Sequence, residues 1–79
     1  MSVTYKDYEM QASSNFLPEK QKWDATVAII KIRDKDGNAH HQNFNSLHLF
    51  DSEQVAISNA FVLGKEIIDG KRPEMTLSF

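Results

Sequence analysis

The alternation of apolar and polar residues predicts a β-strand near the N-terminus. Within residues 5–13, Tyr8, Met10 and Ala12 alternate with polar residues and would share one face. A period of two with a polar opposite face is typical of a half-buried strand. The following stretch, 14–20, lacks this period and contains a proline, so it predicts a polar loop with a turn.

Two further strands are predicted on either side of a tight turn. Residues 23–33 are rich in β-branched side chains, which suit a pleated surface, and they are apolar on both faces. A strand of that kind is usually central in its sheet. The Asp36-Gly37 pair predicts a hairpin turn. Residues 39–45 are more polar, with Phe44 as their one large apolar side chain, which favours an edge strand.

A single helix over about residues 52–69 is predicted by its spacing and by both of its ends. Asp51 is suited to the N-cap, with Gln54 as its capping-box partner. Gly70 would end the helix as the C′ residue. The residues of one apolar face recur at 3.6-residue spacing and are Ala56, Ala60, Leu63, Gly64 and Ile67, with Ile57, Phe61 and Ile68 widening this face. Their small members would let the helix backbone approach the sheet closely.

The tail after the helix, 71–79, alternates three large apolar residues, Met75, Leu77 and Phe79, with polar ones. Three arrangements fit this pattern: a short fourth strand in the same sheet, a contact with a partner chain, or a frayed end. The expected fold is α+β, with a three-stranded antiparallel meander followed by one helix packed on the sheet. A short fourth strand at the C-terminus remains an option.

Composition narrows the class of protein. The 79 residues would form one domain, and 41% hydrophobic with 25% charged residues is ordinary for a globular chain. The absence of cysteine points to a reducing compartment. No apolar run reaches the roughly 20 residues of a membrane span, and the polar N-terminus is unlike a signal peptide. We therefore expect a cytoplasmic protein without membrane contact.

The residues needed for catalysis or metal binding are not arranged in recognisable motifs. His40 and His41 are adjacent, so in a strand they would point to opposite faces and could not readily share an ion. No serine lies in a nucleophile-elbow motif, and no glycine-rich phosphate loop occurs. The sequence therefore predicts no catalytic residue, no metal ligand and no cofactor, and the chain is not expected to be an enzyme.

Two surfaces are candidates for binding. Lysines and an arginine near Trp23 could contact single-stranded nucleic acid through cations and a stacking ring. These basic residues are Lys22, Lys31, Arg33 and Lys35. A net charge of −2 gives no general support to that partner. A protein partner or a second copy could instead contact the second face of the central strand and the tail. The residues of this second set are Ile30, Ile32, Met75, Leu77 and Phe79.

Residues 5–70 resemble a group of small bacterial proteins of unknown function that have been compared with HlyU-type regulators. The matching segments are Trp23-x-Ala25-x-Val27-x-Ile29, Asp36-Gly37, Phe44, Phe50-Asp51-Ser52-Glu53-Gln54-Val55-Ala56 and Gly64-Lys65-x-Ile67-Ile68-Asp69-Gly70. The resemblance implies a β-β-β-α fold and carries no binding residue across. The leading hypothesis is a non-enzymatic protein-interaction or self-association module. The alternative is a nucleic-acid-binding accessory or transcription-regulatory protein.

Overall fold

The computed structural model of the protein describes residues 2–31 and 40–78, which form a four-stranded antiparallel sheet, a two-stranded ribbon and one helix. The elements in chain order are β1 (Ser2–Tyr5), β2 (Tyr8–Ser13), β3 (Phe16–Leu17), β4 (Lys22–Trp23), β5 (Thr26–Lys31), β6 (His40–Asn45) and α1 (Glu53–Ile68). The sheet has the order β1-β2-β5-β6, and β3 pairs with β4 in the separate ribbon. The α+β class, the central position of the strand rich in β-branched residues and the edge position of the polar strand are confirmed.

The fourth strand comes from the N-terminus, which the three-stranded prediction missed. The predicted strand 5–13 begins too early, because the chain reverses at Lys6 and Asp7. Tyr5 is the last residue of β1, and only residues 8–13 form β2. Lys6 has a φ of 55°, a left-handed conformation that glycine or asparagine usually supplies. Since neither residue type stands at this turn, the usual sequence signal of a hairpin is absent.

The predicted second strand also begins later than expected. Lys22 and Trp23 belong to the ribbon, and the sheet strand β5 starts at Thr26. Trp23 pairs instead with Phe50, the residue that precedes the helix region, in an isolated antiparallel bridge. The predicted turn residues Asp36-Gly37 lie outside the described residues.

The predicted C′ glycine of the helix is confirmed, whereas the predicted N-cap residue is wrong. Ser52, not Asp51, is the N-cap, because the Val55 amide donates to Ser52 Oγ at 3.2 Å. At the C-terminal end, Gly70 has a φ of 75° and its amide donates to the Ile67 carbonyl at 3.1 Å. The next amide donates to the carbonyl of Glu66 at 2.9 Å, which completes a Schellman motif around the predicted glycine.

The core lies between one face of the sheet and the inner face of α1. Its buried apolar residues are Met10, Ala25, Val27, Ile29, Ala56, Ala60, Leu63 and Ile67. All five helix residues that the spacing assigned to the sheet side are buried. A Cβ atom added at Gly64 would lie 2.6 Å from Met10 Sδ and 3.0 Å from Val27 Cγ2. The close approach of helix and sheet that the small residues predicted is therefore present.

The tail packs on its own chain without forming a strand over 71–78. Met75 and Leu77 are half-buried against the core. Gln42 of β6 holds the backbone here, because the Ser78 amide donates to Gln42 Oε1 at 3.0 Å and Gln42 Nε2 donates to the Thr76 carbonyl at 3.4 Å. The optional fourth strand at the C-terminus is therefore not formed over residues 71–78, which pack on the core as an irregular segment. Phe79 lies outside the described residues.

Candidate protein-interaction surface

The helix leaves the opposite face of the four-stranded sheet open, and the pairing register arranges this face in rows. One row is Ser2, Gln11, Ala28 and Asn43, and the next is Thr4, Glu9, Ile30 and His41. Among the described residues of this face there is no lysine or arginine, and the only aromatic ring is the imidazole of His41. Sheet faces that bind single-stranded nucleic acid use several stacking rings together with cations. The described part of the open face offers one ring and neither of these cations.

Of the basic residues proposed for nucleic acid, the two that the structure describes, Lys22 and Lys31, are not brought together. Lys22 forms an ion pair with Asp51. Lys31 ends β5 and shares the helix-side face with the buried Ile29, since the two are two residues apart. The full length of β5, about 17 Å, lies between them. Arg33 and Lys35 lie outside the described residues.

Three of the proposed partner residues are described, and the fold separates the first of them from the other two. Ile30 is half-buried on the open face, whereas Met75 and Leu77 pack against the core on the helix side. The sheet itself stands between these two positions, so they do not form one surface. Ile32 lies outside the described residues, as does Phe79.

The ribbon and the chain that enters the helix form a compact structure at one end of the molecule. We call residues 14–24 and 46–55 the ribbon end. Ser14 Oγ donates to the Asp24 carbonyl at 2.5 Å, and the Asn15 amide donates to Asp24 Oδ1 at 2.6 Å. Trp23 and Phe50 exchange two backbone hydrogen bonds of 2.8 and 2.9 Å. These bonds fix the backbone of both segments relative to each other.

Three aromatic side chains follow one another across the ribbon end. Phe16 pairs with Trp23, and Trp23 pairs with Phe50, so the three side chains lie on the same side. The rings of Phe16 and Trp23 are 5.3 Å apart between centroids and are tilted by 57°. Trp23 and Phe50 are half-buried against the core, while Phe16 is 47% exposed. The row therefore runs from the core to the surface.

The ribbon end carries most of the large apolar side chains that the described residues expose. Phe16, Leu47, Leu49 and Val55 are 47%, 81%, 38% and 47% exposed. The two others, Val3 and Val62, lie on β1 and on the middle of the helix. Scattered apolar residues are normal on a protein surface, whereas several exposed ones on adjoining segments are a candidate site of interaction.

The charges around these apolar residues are mainly negative. Within the ribbon end there are four carboxylates against two lysines, namely Glu19, Asp24, Asp51 and Glu53 against Lys20 and Lys22. Lys22 is engaged by Asp51, whose side chain is 86% exposed. Interfaces commonly place an apolar centre inside a charged or polar rim. The ribbon end has this composition with an acidic rim.

The sequence prediction overlooked two exposed apolar residues, Leu47 and Leu49. They occur with Phe50 in the short segment between the polar strand and the helix. Three large apolar residues in four positions outside any predicted element were a usable signal. A segment of this length cannot bury all of them, since the chain must pass directly from the sheet into the helix.

At the opposite end of the helix, Asp69 joins the β1–β2 turn to the C-terminus of α1. Tyr5 Oη donates to Asp69 Oδ2 at 2.8 Å, and Lys6 forms an ion pair with the same carboxylate. The hydrogen bonds from Lys6 and then Tyr5 lower the pKa of Asp69 below its ordinary value. The hydrogen bond to Asp69 raises the pKa of Tyr5. This cluster ties the N-terminal hairpin to the helix.

Replacing Asp69 with asparagine is expected to lower the melting temperature at neutral pH and to matter less in acid. Since the folded-state pKa is lowered, the stabilisation is present above the ordinary aspartate pKa of about 3.9 and is lost as the pH falls through the folded-state value. The gap between the melting temperatures of the two proteins should therefore begin to narrow below about pH 4 and close only below the lowered folded-state pKa of Asp69. Glu19→Gln, at an exposed carboxylate, is the control, and a gap that stays constant with pH would contradict this role.

Within residues 2–31 and 40–78, no three histidine, cysteine, aspartate or glutamate side chains are grouped closely enough to hold a metal ion. No helix in the same part of the chain has the length and apolar character to cross a membrane. His40 and His41 lie on opposite faces of β6, as their adjacency required.

Comparison of the chain with protein-family models, curated proteins and solved structures finds no match. The resemblance to small bacterial proteins of the HlyU type therefore stays a prediction.

Proposed function

We propose that the protein is a non-enzymatic protein-interaction module that binds a partner protein through its ribbon end. The observation that carries this proposal is the concentration of exposed apolar side chains there, led by Leu47 at 81% exposure and Phe16 at 47%. Leaving such side chains in water costs free energy that burial in an interface would recover, at about 25 cal/mol per Å² of apolar surface.

The backbone of the ribbon end favours binding because it is already ordered. The Trp23–Phe50 hydrogen bonds and the contacts of Asp24 hold the segments that carry Phe16 and Leu49. A pre-organised surface loses little conformational entropy when a partner docks. Aromatic residues such as Phe16, supported from behind by Trp23, are typical anchors of protein interfaces.

The acidic rim indicates the chemistry of the partner. Glu53 and Asp51 are exposed beside the apolar residues. A partner surface with an apolar centre and lysine or arginine residues around it would match this arrangement and associate faster at low salt. The nucleic-acid alternative has weaker support, because Lys22 is engaged by Asp51 and lies far from Lys31 along the sheet.

Leu47→Asp is expected to abolish binding of the partner without lowering the free energy of unfolding. The Leu47 side chain is 81% exposed and therefore contributes little to the core. The measurement is quantitative recovery of bound proteins on immobilised wild-type and variant chains from the host lysate. Val62→Asp is the matched control, because Val62 is also exposed, at 54%, but lies on the helix away from the ribbon end.

A specific protein retained by the wild type and by Val62→Asp but lost with Leu47→Asp would support the proposal. Equal recovery with both variants would contradict it, as would loss with Val62→Asp alone. Thermal melts of all three chains separate a loss of binding from a loss of fold.

A further inference from the structure

Among the described residues, the outer edge of β6 shows none of the features that usually prevent strands from pairing. Its six residues are His-His-Gln-Asn-Phe-Asn, without lysine, acidic residue or proline. Edge strands of monomers are commonly protected by such residues, by bulges or by a covering segment. In the described part of the chain, the tail forms hydrogen bonds with the side chain of Gln42 in β6. It lies on the helix side of the strand.

The direction of the backbone groups in β6 follows from its pairing with β5. The Ser46 amide donates to the Ala25 carbonyl at 2.8 Å, and these two residues continue the β5–β6 register. Hydrogen-bonded pairs alternate along an antiparallel ladder, so Phe44, Gln42 and His40 direct their backbone groups toward β5. The intervening residues, His41, Asn43 and Asn45, direct theirs outward.

These outward groups form the longer of the two edges of the sheet. Among the described residues, no backbone hydrogen bond reaches the amides or carbonyls of His41 and Asn43 from outside the sheet. By the same alternation, the other edge strand, β1, directs only Ser2 and Thr4 outward. β6 therefore has three alternate residues whose backbone groups point outward, whereas β1 has two.

We infer that β6 pairs with β6 of a second copy of this chain, in antiparallel orientation across a two-fold axis. A second copy fits because an antiparallel pair of identical strands has that symmetry, which is also the commonest symmetry of homodimers. With Asn43 opposite Asn43 of the other copy, His41 faces Asn45. Three pairs then exchange roughly six hydrogen bonds and join the two sheets into one of eight strands.

The open faces of the two sheets become continuous in this dimer, and their lack of lysine and arginine removes charge repulsion near the axis. The ribbon end follows β6 directly in the chain, so antiparallel pairing places the two ribbon ends at opposite ends of the assembly. The dimer would then present two binding ends to a partner. Self-association does not depend on the ribbon end, because the two surfaces share no residue.

The test is the mass of the full chain in solution, measured by sedimentation equilibrium from micromolar to millimolar concentration. The wild type is expected to rise from 9.0 kDa toward twice that mass. Asn43→Pro removes the central outward amide while leaving the pairing with β5 intact, and should weaken association about tenfold or more. Asn43→Ala keeps the amide and should associate like the wild type.

A second pair of variants tests the symmetry and remains informative if Asn43→Pro fails to fold. Asn43→Lys and Asn43→Glu each place like charges against each other at the axis, so each should be monomeric alone. An equimolar mixture should recover the dimer, because the charges across the axis are then opposite.

A wild type that keeps a mass of 9.0 kDa at millimolar concentration would overturn the proposal. So would a dimer that Asn43→Pro leaves intact with the fold retained, or a Lys and Glu mixture that stays monomeric. The wild type could also stay monomeric while the amides of β6 become protected from hydrogen exchange only when a different protein is added. That result would overturn the dimer and assign this edge to a strand of another protein. Failure of the Leu47→Asp test would leave this dimer unaffected, because Leu47 is not at the edge.

Discussion

Replacing Ile29 with alanine is expected to lower the free energy of unfolding by about 3 to 4 kcal/mol. Ile29 lies in the central strand β5, is 0% exposed and belongs to the core between sheet and helix. Truncation removes buried methyl and methylene groups and leaves a cavity that the strands on both sides cannot close. A domain of this size has a total stability of about 4 to 12 kcal/mol, so the loss would be a large part of it.

Urea unfolding followed by circular dichroism measures this change, and the melting temperature should fall by about 15 °C or more. The adjacent residue supplies the control, because Ile30 lies on the open face of the same strand and is only half-buried. Ile30→Ala should cost about 1 kcal/mol or less. Equal losses for the two variants would show that the open face is covered, contrary to the two-layer fold.

Replacing Gly64 with valine is expected to destabilise the protein by about 2 to 3 kcal/mol, although valine suits a helix slightly better than glycine does. The Cβ alone would lie 2.6 Å from Met10 Sδ and 3.0 Å from Val27 Cγ2, and the two methyl groups would need further room. Met10 and Val27 are both 0% exposed, so neither can move into solvent. The helix would have to shift away from the sheet.

Ser58→Val is the matched control, since Ser58 occupies an exposed position on the same helix and receives the same side chain. It should change the stability only slightly. Combining Gly64→Val with Met10→Ala should cost less than the sum of the two single changes, because the second substitution opens the space that the first needs. Additive losses in urea titrations would mean that Gly64 does not contact Met10.

The helix is the element that the sequence predicts best, because its inner face depends only on local spacing. The buried residues of α1 are the five that the 3.6-residue period assigns to the sheet side. The N-cap was misassigned by one residue, since Asp51 and Ser52 are both good capping residues. Only the hydrogen bond from the Val55 amide to Ser52 Oγ distinguishes them.

The sheet was harder to predict because its pairing depends on contacts between distant residues. The chain reverses at Lys6 with a φ of 55°, a conformation that a lysine in the sequence does not predict. The prediction therefore missed β1. Trp23 continues the apolar alternation of β5, yet its backbone bonds to Phe50 rather than to the sheet. Nothing within either segment encodes that pairing, which joins residues 27 positions apart.

The candidate site was predicted least well, for a related reason. A surface exists only after the chain has folded, and the ribbon end brings Phe16 together with residues near the start of the helix. The lysines that looked close in the sequence are separated by the length of β5 or engaged by a carboxylate. The apolar tail residues Met75 and Leu77 pack on their own core instead of remaining exposed.

Photo-crosslinking inside the native host tests the proposed role of the ribbon end most directly. A photoreactive phenylalanine analogue is placed at Leu47 in one chain and at Val62 in another, two positions of high exposure of which the first lies in the ribbon end and the second lies on the helix outside it. One recurrent protein adduct is expected from position 47 and none of that mass from position 62. The same adducts from both positions, or none from position 47 while position 62 gives one, would contradict it.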